Sequence, residues 1–170
     1  MNDYSSATRS PSPSASFPTQ PGIGPILLVD DDREIQDILA RTLRGAGYGV
    51  SCAEDGEAGW DELCAGRFDL LITDYKMPRL SGLGLLRRVR AVPLDLPVIL
   101  TSANMPWHVP ELMTLLTPGT AIEKPYTLTG LLATVRSIVN HQQATRRNCA
   151  RPPVPSLKGN AMIGQLRAAT

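Results

Sequence analysis

The sequence predicts an α/β fold in which a five-stranded parallel sheet is covered by helices on both faces. Between residues 26 and 141, short apolar runs alternate five times with segments whose apolar residues recur at helical spacing. The first pattern is typical of strands buried on both faces, and the second is typical of amphipathic helices. Alternating strands and helices predict a doubly wound parallel sheet, because parallel crossovers are right-handed and place helices over the sheet.

The first three strand–helix units are marked by apolar runs and by glycines. The first strand, Ile26 to Val29, is continuously apolar, as expected of a strand covered on both faces. Glycines close the first two helices. The predicted strands are 26–29, 48–53 and 68–73, and the predicted helices are about 35–46, 56–65 and 82–91.

The last two units are less regular. A fourth strand is predicted at Val98 to Ser102 and a short fifth strand at Thr120 to Ile122. Pro106 and Pro110 cannot both lie inside one helix, so the fourth helix is predicted to begin with Pro110 at its first position and to run only to about residue 117. The fifth helix, from residue 128, is the clearest amphipathic segment, and we expect it to end near residue 140.

The two ends of the chain differ in composition from the region between them. Residues 1–25 hold five prolines and six serines, and predict a disordered lead-in. Residues 142–170 hold five basic residues and no acid, so residues 26–141 carry a net charge of −4. We therefore expect a lead-in (1–25), one domain (26–141) and a basic, mostly disordered tail (142–170) that is solvated.

Composition excludes several classes of protein. No apolar run approaches the roughly 18 to 20 residues of a membrane helix, and the N-terminus lacks the apolar core of a secretory signal. We therefore expect a cytoplasmic protein without membrane contact. Cys52, Cys64 and Cys149 form no C-x-x-C pair, which predicts free thiols rather than disulfides or a zinc site. The basic tail lacks interleaved aromatic residues, so we expect no direct DNA binding.

Polar side chains stand at the carboxyl ends of four predicted strands, where doubly wound folds place their sites. Acids 30–32 follow the first strand, Asp74 follows the third, Ser102 ends the fourth and Lys124 follows the fifth. Clustered carboxylates repel one another unless a cation neutralises them, and oxygen ligands favour magnesium. Magnesium, a lysine and a hydroxyl can hold a phosphoryl group while a carboxylate oxygen attacks it. We predict that Asp74 is this nucleophile.

Each of these residues also has a simpler interpretation. Asp31 or Asp32 could cap the first helix. Ser102 could be a structural serine, and Lys124 with Pro125 could form an ordinary turn. These separate interpretations do not explain why all of the residues fall at the same end of successive strands.

Four segments resemble the signature blocks of the receiver domain of bacterial two-component response regulators. They are ILLVDDD (26–32), DYKMPRLSGLGLL (74–86), PVILTSA (97–103) and EKPY (123–126). The resemblance covers residues 26 to about 141 and implies the flavodoxin-like (βα)5 receiver fold. It also implies that Asp74 accepts a phosphoryl group from a histidine kinase or a histidine phosphotransfer protein.

The same resemblance implies a role for the other residues at the strand ends. Asp30 and Asp31 match the acidic pair that binds magnesium, with Asp31 the more direct ligand, and the backbone carbonyl of Lys76 matches a further ligand. Lys124 matches the lysine that pairs with the phosphoryl group.

The family has a serine or threonine whose hydroxyl acts in the switch, and in this chain either Thr101 or Ser102 could match it. Counting five residues on from Pro97 selects Ser102. Because neighbours on a strand face opposite sides, we expect Thr101 to point away from the site.

Three departures from the family pattern bear on what the protein does downstream. Ala121 stands where the family usually has an aromatic residue, three positions before the lysine. The segment after Ser102 is unusual, and we hypothesise that Trp107 supplies the missing aromatic signal; alternatively, Trp107 covers core or contacts a partner. The residues after His141 are too few for an output domain, which predicts a stand-alone receiver that shuttles phosphoryl groups in a phosphorelay or binds a downstream protein when phosphorylated.

Other classes of function stay open at this point. The protein could be a switch that catalyses only its own phosphorylation and dephosphorylation. It could instead be a phosphorylation-independent interaction module that uses the altered fourth-helix face. A hydrolase of phosphate esters would need an added cap or an acid two residues past the nucleophile, where this chain has Lys76.

Overall fold

The fold is a parallel sheet between two layers of helices, as the sequence predicts. A computed structural model describes residues 24–148, so the disorder predicted for residues 1–23 and 149–170, and the thiol of Cys149, lie outside the described residues. The strands are β1 (Ile26–Val29), β2 (Val50–Ala53), β3 (Leu70–Asp74), β4 (Val98–Ser102) and β5 (Gly119–Glu123). The helices are α1 (Arg33–Gly45), α2 (Gly56–Ala65), α3 (Gly82–Arg90), α4 (Leu112–Leu116) and α5 (Leu128–Asn148).

The sheet has the strand order β2-β1-β3-β4-β5, and all neighbouring strands are parallel. Residues of β1, β3 and β4 are buried throughout, which explains why their sequences are nearly continuous apolar runs. Asp74 at the end of β3 lies in register with Thr101 of β4. Because all strands run in one direction, their carboxyl ends meet along one edge of the sheet.

Successive strand residues divide between two hydrophobic cores, one on each face of the sheet. Leu27 and Val29 pack with residues of α2, α3 and α4. Ile26 and Leu28 face the other way and pack with α1 and α5. This division follows from the alternation of side chains along a strand.

The predicted start of α4 at Pro110 is wrong. A turn comes first, in which the backbone N–H of Leu112 donates to the carbonyl of Val109 (3.1 Å), and the helix proper begins at Leu112. The chain must first turn out of the irregular segment after β4, which uses the residues that we assigned to the first helical turn.

Arg90 of α3 holds the short fourth helix against the rest of the domain. Its guanidinium donates to the carbonyls of Leu115 (2.9 Å), Leu96 (2.9 Å) and Pro118 (3.3 Å). Leu96 precedes β4, Leu115 lies in α4 and Pro118 precedes β5. The half-buried arginine therefore joins the segments before and after β4, and it satisfies the carbonyl of Leu115, which a longer α4 would satisfy itself.

The predicted end of α5 near Asn140 is also wrong, because the helix continues to Asn148. Residues 141–148 contain neither glycine nor proline, and the next proline is Pro152. Charge and polarity led us to assign residues 142–148 to the tail, but polar residues without a breaker continue a helix readily.

Two further predictions concern the described residues alone. Neither Cys52 nor Cys64 takes part in a disulfide, as expected. None of the helices within residues 24–148 combines the length and the apolar character needed to cross a bilayer.

Gly82 at the start of α3 provides a test of the packing around the site. A Cβ added to Gly82 would lie 2.1 Å from the backbone oxygen of Asp74, whereas a Cβ on Gly45, the last residue of α1, would meet nothing within 4 Å. We expect Gly82→Ala to lower the free energy of unfolding by about 1–3 kcal/mol or more, as overpacking does. Gly45→Ala should leave it unchanged or slightly raised. Urea denaturation measures both, and equal stability of the two variants would contradict this packing.

Candidate functional site

The predicted site residues meet at the carboxyl edge of the sheet. Asp74 is the last residue of β3 and is 8% exposed, and Asp30 directly follows β1 and is 2% exposed. Since β1 and β3 are adjacent strands, the two carboxylates belong to neighbouring strand ends. Lys124 follows β5, and its backbone N–H donates to the carbonyl of Ser102 (2.7 Å), which fixes the start of its loop.

The ammonium group of Lys124 contacts both buried carboxylates. Its Nζ donates to Asp74 Oδ1 (2.6 Å) and lies 3.5 Å from Asp30 Oδ2. Burial lowers the pKa of Lys124, but the hydrogen bond to Asp74 and the charges of Asp30 and Asp74 outweigh this and raise the pKa above its usual value. Lys124 is therefore a fixed positive charge beside the predicted nucleophile.

The charged form of Asp30 is disfavoured by its surroundings. Burial raises the pKa of its carboxyl, and the negative charge of Asp74 adds to the rise. The backbone N–H of Asp32, which donates to Asp30 Oδ1 (3.0 Å), and the Lys124 ammonium act in the opposite direction without cancelling it. One ammonium thus leaves this pair of carboxylates incompletely neutralised.

The three acids after β1 have different surroundings. Asp32 caps α1, since its Oδ1 accepts from the backbone N–H groups of Glu34 (2.9 Å) and Ile35 (3.2 Å), so the capping interpretation is correct for this residue. Asp31 is exposed. Across residues 24–148, no three His, Cys, Asp or Glu side chains form an arrangement that could hold a metal ion. The structure brings Asp30 and Asp74 together and places Asp31 at the surface beside them.

Lys76 contributes its backbone to the site. Its N–H donates to Asp74 Oδ2 (2.7 Å), while its side chain belongs to an exposed residue. Lys76 N–H and Lys124 Nζ therefore hold the two oxygens of the Asp74 carboxylate separately. The ligand role of the Lys76 carbonyl stays a prediction.

The hydroxyl of Ser102 is hydrogen-bonded to the backbone of its own loop. Its hydroxyl donates to the carbonyl of Asn104 (2.8 Å) and accepts from the N–H of the same residue (3.1 Å). The Ser102 side chain is 2% exposed. Its predicted switch role requires this local pairing to open.

The expectation that Thr101 points away from the site is wrong. Thr101 Oγ1 lies 3.5 Å from Asp74 Oδ1. Thr101 and Ser102 are neighbours on one strand and face opposite sides, but the pairing of β3 with β4 decides which of the two faces Asp74. Asp74 and Thr101 are register partners, and partners directly opposite on adjacent strands share a face of the sheet.

A group of ion pairs beside the site was not singled out from the sequence. Arg79, in the loop after β3, pairs with Glu54 (3.1 Å) and with the fully buried Asp55. Asp55 also caps α2 by accepting from the N–H of Ala58 (2.9 Å). Hydrogen bonds from Arg79 and Arg33 lower the pKa of Glu54. These pairs join the loop after β2 to the loop that carries Lys76, and nothing in their spacing along the chain predicts the contact.

Trp107 does not cover the core. Its side chain is 63% exposed, whereas Trp60 of α2 is buried. Ala121 of β5 is half-buried against the core that packs with α2, α3 and α4. The exposed side chain of Trp107 is therefore free to contact another molecule or to change its surroundings.

Known proteins resemble this chain over the same region. Residues 26–136 match the sequence model of the response regulator receiver domain. Over 116 residues the chain is 38% identical to the response regulator MprA of Mycobacterium avium, an alignment that covers 67% of this chain and 50% of that protein. The chain thus spans about half the length of the curated relatives that it matches.

Solved structures show the same likeness. The chemotaxis response regulator CheY4 of Vibrio cholerae is 28% identical, with a TM-score of 0.62 over 68% of this chain and 98% of that one. The response regulator protein TrrA of Thermotoga maritima, solved in complex with Mg(2+)-BeF, is 28% identical, with a TM-score of 0.60 over 68% of this chain and 99% of that one.

The raised pKa of Asp30 predicts a pH-dependent effect of Asp30→Asn. Because the pKa is higher in the folded state, ionised Asp30 costs stability at neutral pH, and this cost disappears as the pH falls through the folded pKa. In chelator at pH 7 we expect Asp30→Asn to raise Tm by about 2–4 °C, which corresponds to about 1 kcal/mol in a chain of this size. The gain should shrink as the pH is lowered.

The matched control is Asp31→Asn, which removes the exposed charge of the residue after Asp30 and should change Tm much less. Thermal melts of the three proteins between pH 4 and pH 7 measure the effect. A lower Tm of Asp30→Asn at pH 7, or a difference that does not depend on pH, would contradict the assignment.

Proposed function

Because the chain belongs to the response regulator receiver domain family of two-component signalling proteins, we propose that it accepts a phosphoryl group on Asp74. The observation that carries the proposal is the ammonium of Lys124, which lies 2.6 Å from Asp74 Oδ1 and also reaches Asp30. A carboxylate oxygen beside a fixed cation can attack phosphorus while the cation stabilises the negative charge on the phosphoryl oxygens.

In the proposed reaction the donor is the phosphohistidine of a histidine kinase or of a histidine phosphotransfer protein. The phosphorus–nitrogen bond of the donor breaks, and a bond forms between phosphorus and an oxygen of Asp74. The imidazole leaves with the electron pair and takes up a proton. Water later attacks the acyl phosphate, which releases inorganic phosphate and restores the carboxylate. The chain thus catalyses its own phosphorylation and dephosphorylation only.

Magnesium fits the chemistry of the residues at this edge. Asp30 and Asp74, with the backbone carbonyl of Lys76, would hold the ion, and Asp31 would have to turn in from the surface to complete the set, since oxygen ligands suit magnesium. The excess negative charge of two buried carboxylates around one ammonium supports this assignment. When bound, the ion supplies positive charge for the phosphoryl oxygens.

The proposed response to phosphorylation is a change in the loop after β4. To reach the phosphoryl group, the Ser102 hydroxyl must give up its bonds to Asn104, and the loop that contains Trp107 follows directly. The altered surface would then bind a downstream protein partner. We place the protein in the cytoplasm, where the phosphodonor is made with ATP, and assign the receiver domain to residues 26–141.

Labelling by a small phosphodonor tests the proposed function. Asp74→Asn removes the nucleophile with little change of volume, so we expect phosphoryl transfer from radiolabelled acetyl phosphate to fall below detection. Asp37→Asn, which changes an exposed acid of α1, should label as wild type does. Labelling should require Mg²⁺ and stop in chelator.

Two results would contradict the proposal. Equal labelling of Asp74→Asn and wild type would place the phosphoryl group elsewhere. Wild type that stays unlabelled and shows no binding of magnesium would favour the interaction module instead.

Trp107 provides an optical test of the loop response. The chain has two tryptophans, so Trp60→Phe leaves Trp107 as the single reporter. Because this side chain is 63% exposed and follows Ser102 closely, we expect its emission to change in intensity or wavelength when the protein is phosphorylated. Trp107→Phe is the control, since buried Trp60 should respond much less. Unchanged emission of Trp107 would show that it takes no part in the switch.

A further inference from the structure

Thr101 and Ser102 place two hydroxyls side by side at the end of β4, and only Thr101 faces the nucleophile. Thr101 is 1% exposed, and its Oγ1 lies 3.5 Å from Asp74 Oδ1 and 3.4 Å from the carbonyl of Thr73. Ser102 is bonded to the backbone of Asn104 on the other face of the strand. The hydroxyl in contact with Asp74 is therefore not the one that the family pattern selects.

A threonine hydroxyl has one proton, so Thr101 donates to one of its two acceptors at a time. Asp74 is the stronger acceptor while its oxygen is charged, because hydrogen bonds to a carboxylate are stronger than those to a neutral carbonyl. Both distances are long for a hydroxyl bond, which leaves the proton free to change acceptor without movement of the strand. Thr101 can thus be satisfied both before and after Asp74 changes its charge.

The surroundings of Thr101 favour this contact. The nearby Tyr126 hydroxyl is buried and has no hydrogen bond of ordinary length among residues 24–148. Burial raises the pKa of Tyr126, while the Thr101 hydroxyl acts in the opposite direction. With its pKa raised, Tyr126 stays neutral at pH 7, so the charged oxygen of Asp74 is a stronger acceptor for Thr101 than the Tyr126 hydroxyl is.

We propose that Thr101 is a positioning residue that fixes the rotation of the Asp74 carboxylate for phosphoryl acceptance. The inference rests on the proposed function and adds a third donor to the site. Lys76 N–H holds Asp74 Oδ2, and Lys124 holds Oδ1 but is shared with Asp30 at the end of a long side chain. Thr101 stands on a central strand with one stiff rotatable bond, so its hydroxyl approaches Oδ1 from a fixed direction, whereas Lys124 reaches Oδ1 from the end of a long side chain.

The test compares Thr101→Val, which keeps the shape and removes the hydroxyl, with Thr101→Ser, which keeps the hydroxyl. Initial rates of labelling by acetyl phosphate with Mg²⁺ are measured over a range of donor concentrations. We expect Thr101→Val to lower the maximal rate about fivefold, equivalent to about 1 kcal/mol, with the apparent KM unchanged. Thr101→Ser should restore the rate to within about twofold of wild type.

The Tm of the variants distinguishes a positioning role of Thr101 from a role in packing. Removal of a hydroxyl that has only long hydrogen bonds should leave Tm of Thr101→Val unchanged or raised. A wild-type rate in Thr101→Val would overturn the inference. So would equal loss of rate in both variants together with a lowered Tm, because that pattern belongs to a packing defect.

The same experiment separates this inference from the function on which it rests. Wild type that labels at Asp74, together with a Thr101→Val variant that labels equally fast, would overturn the positioning role alone. Wild type that does not label would overturn the proposed function and the positioning role together.

Discussion

The contact of one ammonium with two buried carboxylates is the interaction on which the rest of the site depends. Lys124 lies 50 residues from Asp74 and 94 residues from Asp30 along the chain, yet its Nζ reaches both. Two carboxylates removed from water would repel each other strongly without a cation between them. One ammonium does not balance two carboxylates, and burial, with the charge of Asp74, raises the pKa of Asp30. A site with this excess of negative charge favours a further cation or a group that carries one.

The parallel sheet brings the contacting residues to one edge and fixes the positions of the strands that carry them. Strands β1, β3, β4 and β5 deliver their last residues to one edge, and two separate hydrophobic cores fix the strands from both faces. The loops beyond the edge are also joined to one another by polar contacts, such as Arg79 with Glu54. The strands thus position the charges, and the proposed response to phosphorylation is assigned to the loop after Ser102.

Most of the fold and the main site residues could be predicted from the sequence because both depend on local patterns. Buried parallel strands produce apolar runs, and the rule of strand ends then selects Asp30, Asp74 and Lys124. The orientation of Thr101 could not be obtained in this way, since it depends on which residue of β4 lies opposite Asp74. The start of α4 and the end of α5 were misplaced because turns and polar helix ends leave weak patterns. The pairing of Arg79 with Asp55 depends on loop paths that no periodicity reveals.

A crystal structure of the protein grown with magnesium and beryllium fluoride would test the central claim most directly. The account predicts a trifluoroberyllate group on an oxygen of Asp74, a magnesium ion on Asp30 and Asp31, and Lys124 Nζ within hydrogen-bonding distance of a fluoride. Full occupancy of both groups with Lys124 turned away from them, or no adduct on Asp74 at saturating fluoride, would contradict it.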